Sequence, residues 1–230
     1  MTPRVSIIVP VLNEAAILGD ALGALAILRS AGAEACEVIV VDGGSADAHP
    51  ATRATCAGLA DAVLRAPCGR ARQMNAGAAQ AQGDVFVFLH ADTRLPAGAP
   101  AAIHAALQRH AWGRFDVRID GASMWLPAIA AFMNARSRLS GIATGDQAMF
   151  VTRAAFAAVG GFPDQPLMED IELSRRLRRS GAPACLRLRG RTSGRRWDEC
   201  GVWRTMVLMW RLRWLYWRGK PAEQLAGRYR

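Results

Sequence analysis

Four short runs along the first part of the chain are almost wholly apolar: Val5–Val11, Glu37–Val41, Ala62–Leu64 and Val85–Leu89. The first, second and fourth lack polar alternation, which predicts strands of a parallel sheet covered on both faces. Between them the periodicity changes. From Glu14 to Ala31, residues Ile17, Leu18, Ala21, Leu22, Leu25 and Leu28 fall on one helical face, and Gly32 supplies a stop signal. Ala46–Leu59 and Arg70–Gln82 read as further helices. Strand alternating with helix predicts an open α/β sheet with right-handed crossovers.

The second half is less regular. Gly113–Ile119 alternates weakly and is expected as a strand, Met124–Leu139 as a helix, Gln147–Val151 as a short strand and Arg153–Val159 as a short helix. Gly160-Gly161-Phe162-Pro163 is a turn signal, followed by a helix with a polar face at Glu169–Arg179. From Val202 to Trp217 the chain reads VWRTMVLMWRLRWLYW. Trp203, Met206, Trp210, Trp214 and Trp217 share one helical face, and Arg204, Arg211 and Arg218 share another. Two readings of this helix stay open. It docks on an anionic membrane surface, or it packs across the catalytic domain with its tryptophans in the core.

The length of 230 residues suits one α/β domain over 1–190, with a first half to residue 95, a second half over 96–190, and an extension over 191–230. With 51% hydrophobic residues the chain can bury a sizeable core. Five scattered cysteines without a CxxC pair fit free thiols in a reducing compartment. No secretory signal and no membrane-spanning run is visible, so the expected place is the cytoplasm, with contact at the inner membrane face through 202–217 as the second option. The net charge of +10 is nearly all arginine, in a chain rich in alanine and glycine. No helix-turn-helix, zinc-finger or RNA-platform pattern accompanies it, and nucleic acid is not expected as a partner.

In open α/β sheets ligands bind beyond the carboxyl ends of the strands. Three of the predicted strands end on polar groups: Pro10-Val11-Leu12-Asn13-Glu14, Asp42-Gly43-Gly44-Ser45 and His90-Ala91-Asp92. Glu14, Asp42 and Asp92 would then converge on one crevice. Asp42 can accept hydrogen bonds from a ribose or base, with glycines permitting close approach. The same four residues also make an ordinary βα turn, with Ser45 capping the next helix. Asp92 suits a hard divalent cation, and His90 a phosphate or the metal. Glu169-Asp170 sits at a helix start, where carboxylates gain from the dipole and one of the two can face the crevice as a general base. Two adjacent acids are not expected to point the same way.

Taken together, these stretches resemble family 2 glycosyltransferases of the GT-A fold. The likeness covers Val5 to Leu177. It begins with VSIIVPVLNE and continues through VVDGGS, which is similar to the family's Asp-Asp-Gly-Ser turn with Gly43 for the second acid. Asn75-x-Gly77 and Ala81-x-Gly83-Asp84 lead into His90-Ala91-Asp92 at the D-x-D position, and Gly160-Gly161-Phe162 precedes the acidic pair. The resemblance implies a nucleotide-diphospho-sugar donor bound by Pro10, Asn13, Glu14, Asp42, Gly44, Ser45, Arg70, Arg72, Asn75, His90, Ala91, Asp92, Arg196 and Trp197. It implies Mg²⁺ or Mn²⁺ on Asp92, and Asp170, with Glu169, as the catalytic acids that activate an acceptor hydroxyl for inverting transfer. The alternative is a nucleotide-sugar-binding protein with little turnover. Three departures stand out. His90 replaces the first acid of D-x-D, Met74 stands where the family often has arginine, and Ser193 stands at the glutamine of a Q-x-x-R-W motif. FLHADT, PLMED and the Trp/Arg tail are similar to a compact bacterial branch named for arsenosugar biosynthesis.

Overall fold

A computed structural model describes residues 4–30, 36–45 and 49–229. Eight strands form one sheet: β1 (Val5–Val11), β2 (Cys36–Asp42), β3 (Ala62–Arg65), β4 (Val85–Phe88), β5 (Thr93–Arg94), β6 (Trp112–Asp120), β7 (Met149–Thr152) and β8 (Ala184–Ser193), in the order β3-β2-β1-β4-β7-β6-β8-β5. The first four pair in parallel, with Val5 opposite both Cys36 and Val85. β7 then runs antiparallel to β4, with Met149 opposite Phe88. This reversal places the start of β7 at the carboxyl ends of β1, β2 and β4, the edge where α/β ligands bind.

The helices are α1 (Ala15–Ser30), α2 (His49–Cys56), α3 (Arg70–Gln80), α4 (Ala99–Leu107), α5 (Leu126–Ser140), α6 (Arg153–Ala158), α7 (Glu169–Ser180), α8 (Arg195–Cys200), α9 (Val202–Trp217) and α10 (Ala222–Tyr229). One core joins Leu18, Leu22 and Leu25 of α1 to Val38, Val40 and Val87 of the sheet. On the other sheet face Met74 and Ala78 of α3 pack with Phe86, Phe88, Phe156 and Phe162. Burial on both faces is why the central strands show no polar alternation. The Phe88 and Phe162 rings meet edge to face at 4.7 Å, which seats the loop before α7 on the sheet.

α5 is fixed to β6 by polar groups in a dry setting. The Asn134 amide accepts from Val117 N–H at 2.8 Å and donates to the Val117 carbonyl at 2.9 Å, as a neighbouring strand would. The fully buried Arg114 pairs with Asp116, and Arg138 reaches both Asp116 oxygens at 3.1 Å.

The expected strands and helices of the first half are present, with bounds that shift by a few residues. The predicted Gly32 stop and the Ala46 start lie outside the described residues. The elements α4, β5, β8, α8 and α10 had not been expected. β8 escaped because it buries few apolar side chains: Leu188 is exposed, and Ala184, Gly190 and Thr192 are the buried residues. The tail corrects one reading. α9 docks through Leu212, with Leu208 and Leu215, against Met168 and Leu225. Trp203, Trp210, Trp214 and Trp217 stay exposed, so the tryptophans are not in the core. No described helix is long and apolar enough to cross a membrane.

Replacing Asn134 with Ala leaves the Val117 N–H and carbonyl buried without partners, which should cost about 2–4 kcal/mol of unfolding free energy in urea denaturation. A loss below about 1 kcal/mol would contradict the strand-mimic role assigned to this side chain.

Candidate active site

The ends of β1, β4, β6 and β8, the starts of β7 and α7, and helices α5 and α9 surround one cavity of about 740 Å³. Ten of the residues expected at the site line it: Pro10, Glu14, Arg70, His90, Ala91, Asp92, Glu169, Asp170, Arg196 and Trp197. Glu169 and Asp170 both border it, although adjacent acids had not been expected to share a direction. Met168 precedes them in the left-handed conformation (φ 65°) and sets the angle at which α7 starts.

At the centre, Gly145 packs under the His90 ring. A β-carbon at residue 145 would overlap His90 Cε1 and lie 2.5 Å from Nε2. The Gly145 N–H donates to Asp170 Oδ2 at 2.9 Å, and the Ile171 N–H donates to Asp170 Oδ1 at 2.7 Å. His90 Nδ1 lies 3.5 Å from Asp146 Oδ1. Burial works to raise the Asp146 pKa. The His90 hydrogen bond and the charges of His90, Arg70 and Arg213 outweigh it and hold the carboxylate below its ordinary value. A carboxylate from residue 146 thus stands beside position 90, where the resemblance had implied an acid. Asp146 was not among the expected site residues. It carries no strand-exit signal, because the entrance of an antiparallel strand lies on the same edge.

The carboxylates interact. Burial, and then the charge of Asp92, raise the Glu14 pKa above its ordinary value. Burial, and then Asp170, do the same for Glu169. Arg70 answers from the start of α3. Burial acts to lower its pKa, but Tyr229, Glu169, Asp146 and Asp170 together raise it. Asp92 is held by Thr93 Oγ1 at 3.2 Å and Thr192 Oγ1 at 3.5 Å. Among the described residues no three His, Cys, Asp or Glu side chains converge as a ready metal-ligand set. Asp92 and Glu14 are nonetheless close enough for mutual repulsion, which a divalent cation would relieve.

Six expected donor contacts lie outside the cavity wall: Asn13, Asp42, Gly44, Ser45, Arg72 and Asn75. The wholly buried Asp42 organises its own turn, with Oδ1 accepting from Gly44 N–H (3.1 Å), Ser45 N–H (2.9 Å) and Ser45 Oγ (2.7 Å). Ser45 Oγ in turn accepts from the N–H of Asn13, itself left-handed at φ 57°. Gly43 replaces an acid because a β-carbon there would meet the Gln73 amide at 3.0 Å, and Gln73 Nε2 is engaged by the Val11 and Val41 carbonyls at 2.8 Å. Asn75 clamps the Phe162 backbone at 2.8 and 3.0 Å, and Arg72 pairs with Asp164 at 2.7 Å. Both side chains are engaged by the loop before α7 instead of facing the cavity. Arg196 lines the cavity, yet its guanidinium lies 3.8 Å over the Tyr229 ring and donates to the Tyr229 carbonyl at 2.7 Å.

Fold and cavity together define a GT-A type architecture, with an open twisted sheet whose strand-end cavity gathers carboxylates, arginines and a histidine. Residues 6–158 match the model of glycosyl transferase family 2, and the chain belongs to that family. No functionally curated protein matches it. Among solved structures it resembles residues 1–349 of S. aureus TarS, with 16% identity and a TM-score of 0.65 over 83% of this chain and 60% of that one. A TarS complex with UDP gives 17% and 0.64, also over 83% of this chain and 60% of that one. The mannosyltransferase PcManGT from Pyrobaculum calidifontis, in complex with GDP-Man and Mn²⁺, gives 22% and 0.62 over 83% and 57%. The chain thus spans less than two thirds of each of these structures.

Gly145→Ala should lower the urea midpoint, by about 1–3 kcal/mol of stability, because the His90 ring must shift. An unchanged midpoint would mean that the ring moves freely. Glu169 gives a second test. Its raised pKa means that the folded protein holds this proton more tightly than the unfolded chain does. Ionisation therefore destabilises the fold as pH rises through the ordinary carboxylate value, and the full penalty applies above the raised one. Glu169→Gln should melt above wild type at neutral pH, with the difference fading below pH 4.5. A variant less stable at neutral pH would reverse the assignment.

Proposed function

We propose that this protein transfers a sugar from a nucleotide-diphospho-sugar donor to an acceptor hydroxyl, with divalent metal and inversion at the anomeric carbon. The observation that carries the reading is the convergence on one cavity of Asp92, Asp146, Glu169 and Asp170 with Arg70. The donor-binding half is residues 1–95 and the acceptor half 96–190. The diphosphate lies beside Asp92 and Arg70, with the nucleoside towards the exposed Gly44 backbone.

Asp170 is the general base. Two backbone N–H groups fix its carboxylate, so it presents one orientation to the acceptor. It takes the acceptor proton as that oxygen attacks the anomeric carbon, and the bond from that carbon to the diphosphate oxygen breaks with its electron pair leaving on the phosphate. A single displacement from the opposite face inverts the configuration. Arg70 offsets charge on the departing diphosphate. Asp92, with Glu14 near it, would hold Mg²⁺ or Mn²⁺, and the remaining positions would go to phosphate oxygens and water. When bound, the metal supplies electrostatic stabilisation of the leaving group.

The exposed Trp203, Trp210, Trp214 and Trp217, beside the exposed Arg204, Arg211 and Arg218, support contact with an anionic membrane surface through 202–217. The protein then works on the cytoplasmic side. Binding without turnover is the second reading, favoured by the engagement of His90 with Asp146 in place of a D-x-D acid.

Thermal melts with UDP, GDP, ADP and dTDP, each with Mn²⁺ or chelator, test the donor site. One nucleotide should raise the melting temperature only with metal, and Asp92→Ala should abolish the shift. Asp170→Asn should keep that binding and lose about 10²–10⁴-fold in release of nucleoside diphosphate from the matching sugar donor. Wild-type binding without release would select the non-catalytic reading.

A further inference from the structure

On the cavity-facing side of α5, one polar residue lacks the partners that its neighbours have. Asn134 is bound to Val117, and Arg138 to Asp116. Arg136 instead lines the cavity, with Arg213 of α9 on the same wall. Its Nε and Nη2 are shielded from solvent and have no hydrogen-bond partner. Burial, and then the charge of Arg213, push its pKa down to about 10, while Asp170 acts in the opposite sense. In the free protein this is a poor arrangement, with orphaned donors and a like charge beside them. An anion with several acceptor oxygens satisfies both, and the planar guanidinium fork matches phosphate as it does carboxylate.

This pair comes from other elements than the proposed donor contacts, although the charge of Arg213 also reaches Asp146. Glu14 and Asp92 hang from the ends of β1 and β4, whereas Arg136 and Arg213 come from α5 and α9. Those two helices also supply Ile129, Phe132, Met133, Met206, Met209 and Trp210 to the cavity wall. The Phe132 and Trp210 rings lie 5.8 Å apart and remain about half exposed. The same cavity therefore combines an apolar wall with two neighbouring cations, of which Arg136 lies within the field of Asp170.

We propose that Arg136 and Arg213 form an anion subsite for the acceptor, and that the acceptor is an anionic amphiphile. Its phosphate is held by the two arginines and its apolar chain lies along the α5–α9 wall. This rests on the sugar-transfer reading. The anchored phosphate is not the nucleophile. It holds the neighbouring hydroxyl within reach of Asp170.

The test uses decyl phosphate, decanol and inorganic phosphate as separate ligands of the full chain, followed by tryptophan fluorescence and calorimetry. Decyl phosphate should bind at least about tenfold more tightly than either of the others, and together with the nucleoside diphosphate. Arg136→Gln, and independently Arg213→Gln, should bring decyl phosphate down to the decanol level and leave nucleotide binding unchanged. Arg136→Gln should also melt above wild type when free, which a structural arginine would not do. Decanol binding as tightly as decyl phosphate, or neither variant weakening it, would overturn the anion subsite. Inorganic phosphate binding as tightly as decyl phosphate would keep a free-anion site and sink the amphiphile. Competition with the nucleotide, together with equal loss of both ligands in the variants, would assign the arginines to the donor and overturn the proposal. If no nucleotide binds but decyl phosphate does so through Arg136, the transfer reading fails and the subsite stands.

Discussion

The site depends on a close approach at Gly145, where no β-carbon fits beneath the His90 ring. That approach joins three parts of the chain. The exit of β4 brings His90, the turn before β7 brings Gly145 and Asp146, and the start of α7 brings Asp170. Because Gly145 is flush with the ring, its N–H reaches Asp170 at 2.9 Å, and the next residue places a carboxylate 3.5 Å from Nδ1. All of this follows from one topological choice. A parallel β7 would put its entrance at the opposite edge of the sheet and leave the β4 exit without these partners.

Much of the first half of the chain was legible because its signal is simple. A strand buried on both faces has to be apolar throughout, and an apolar run that stops at His90-Ala91-Asp92 marks where the sheet opens. Legibility failed where tertiary context decides a side chain's use. Asn75 and Arg72 sit on the same helix as Arg70, and the sequence offers no sign that only Arg70 turns to the cavity while the others hold the Phe162 loop. β8 was hidden because it buries Gly190 and Thr192 and leaves Leu188 exposed. Asp146 was hidden by strand direction, which a single sequence does not print. The tail was read correctly as a helix, but the face that docks is the leucine face, and the tryptophans remain outside.

The cavity concentrates charge in a partly dry setting, which works against folding. Glu14 and Glu169 are held above their ordinary pKa, and Arg136 below its own. Such groups destabilise the free protein, and clusters of them are a property of binding and catalytic sites more than of structural ion pairs. The ion pairs Arg114–Asp116–Arg138 on β6 and α5 have their charges matched, although Arg114 Nε, like Arg136 Nε, has no hydrogen-bond partner. Glu14, Glu169 and Arg136 border a single cavity, with Glu14 beyond β1, Glu169 at the start of α7 and Arg136 on α5.

The most direct measurement is a crystal structure with Mn²⁺ and the nucleoside diphosphate that stabilises the protein most. The diphosphate should lie beside Asp92 and Arg70, with Mn²⁺ held at Asp92, and Asp170 should face open space where an acceptor fits. A diphosphate clasped by Arg136 and Arg213, or a nucleotide bound away from the β4 exit, would contradict the donor site described above.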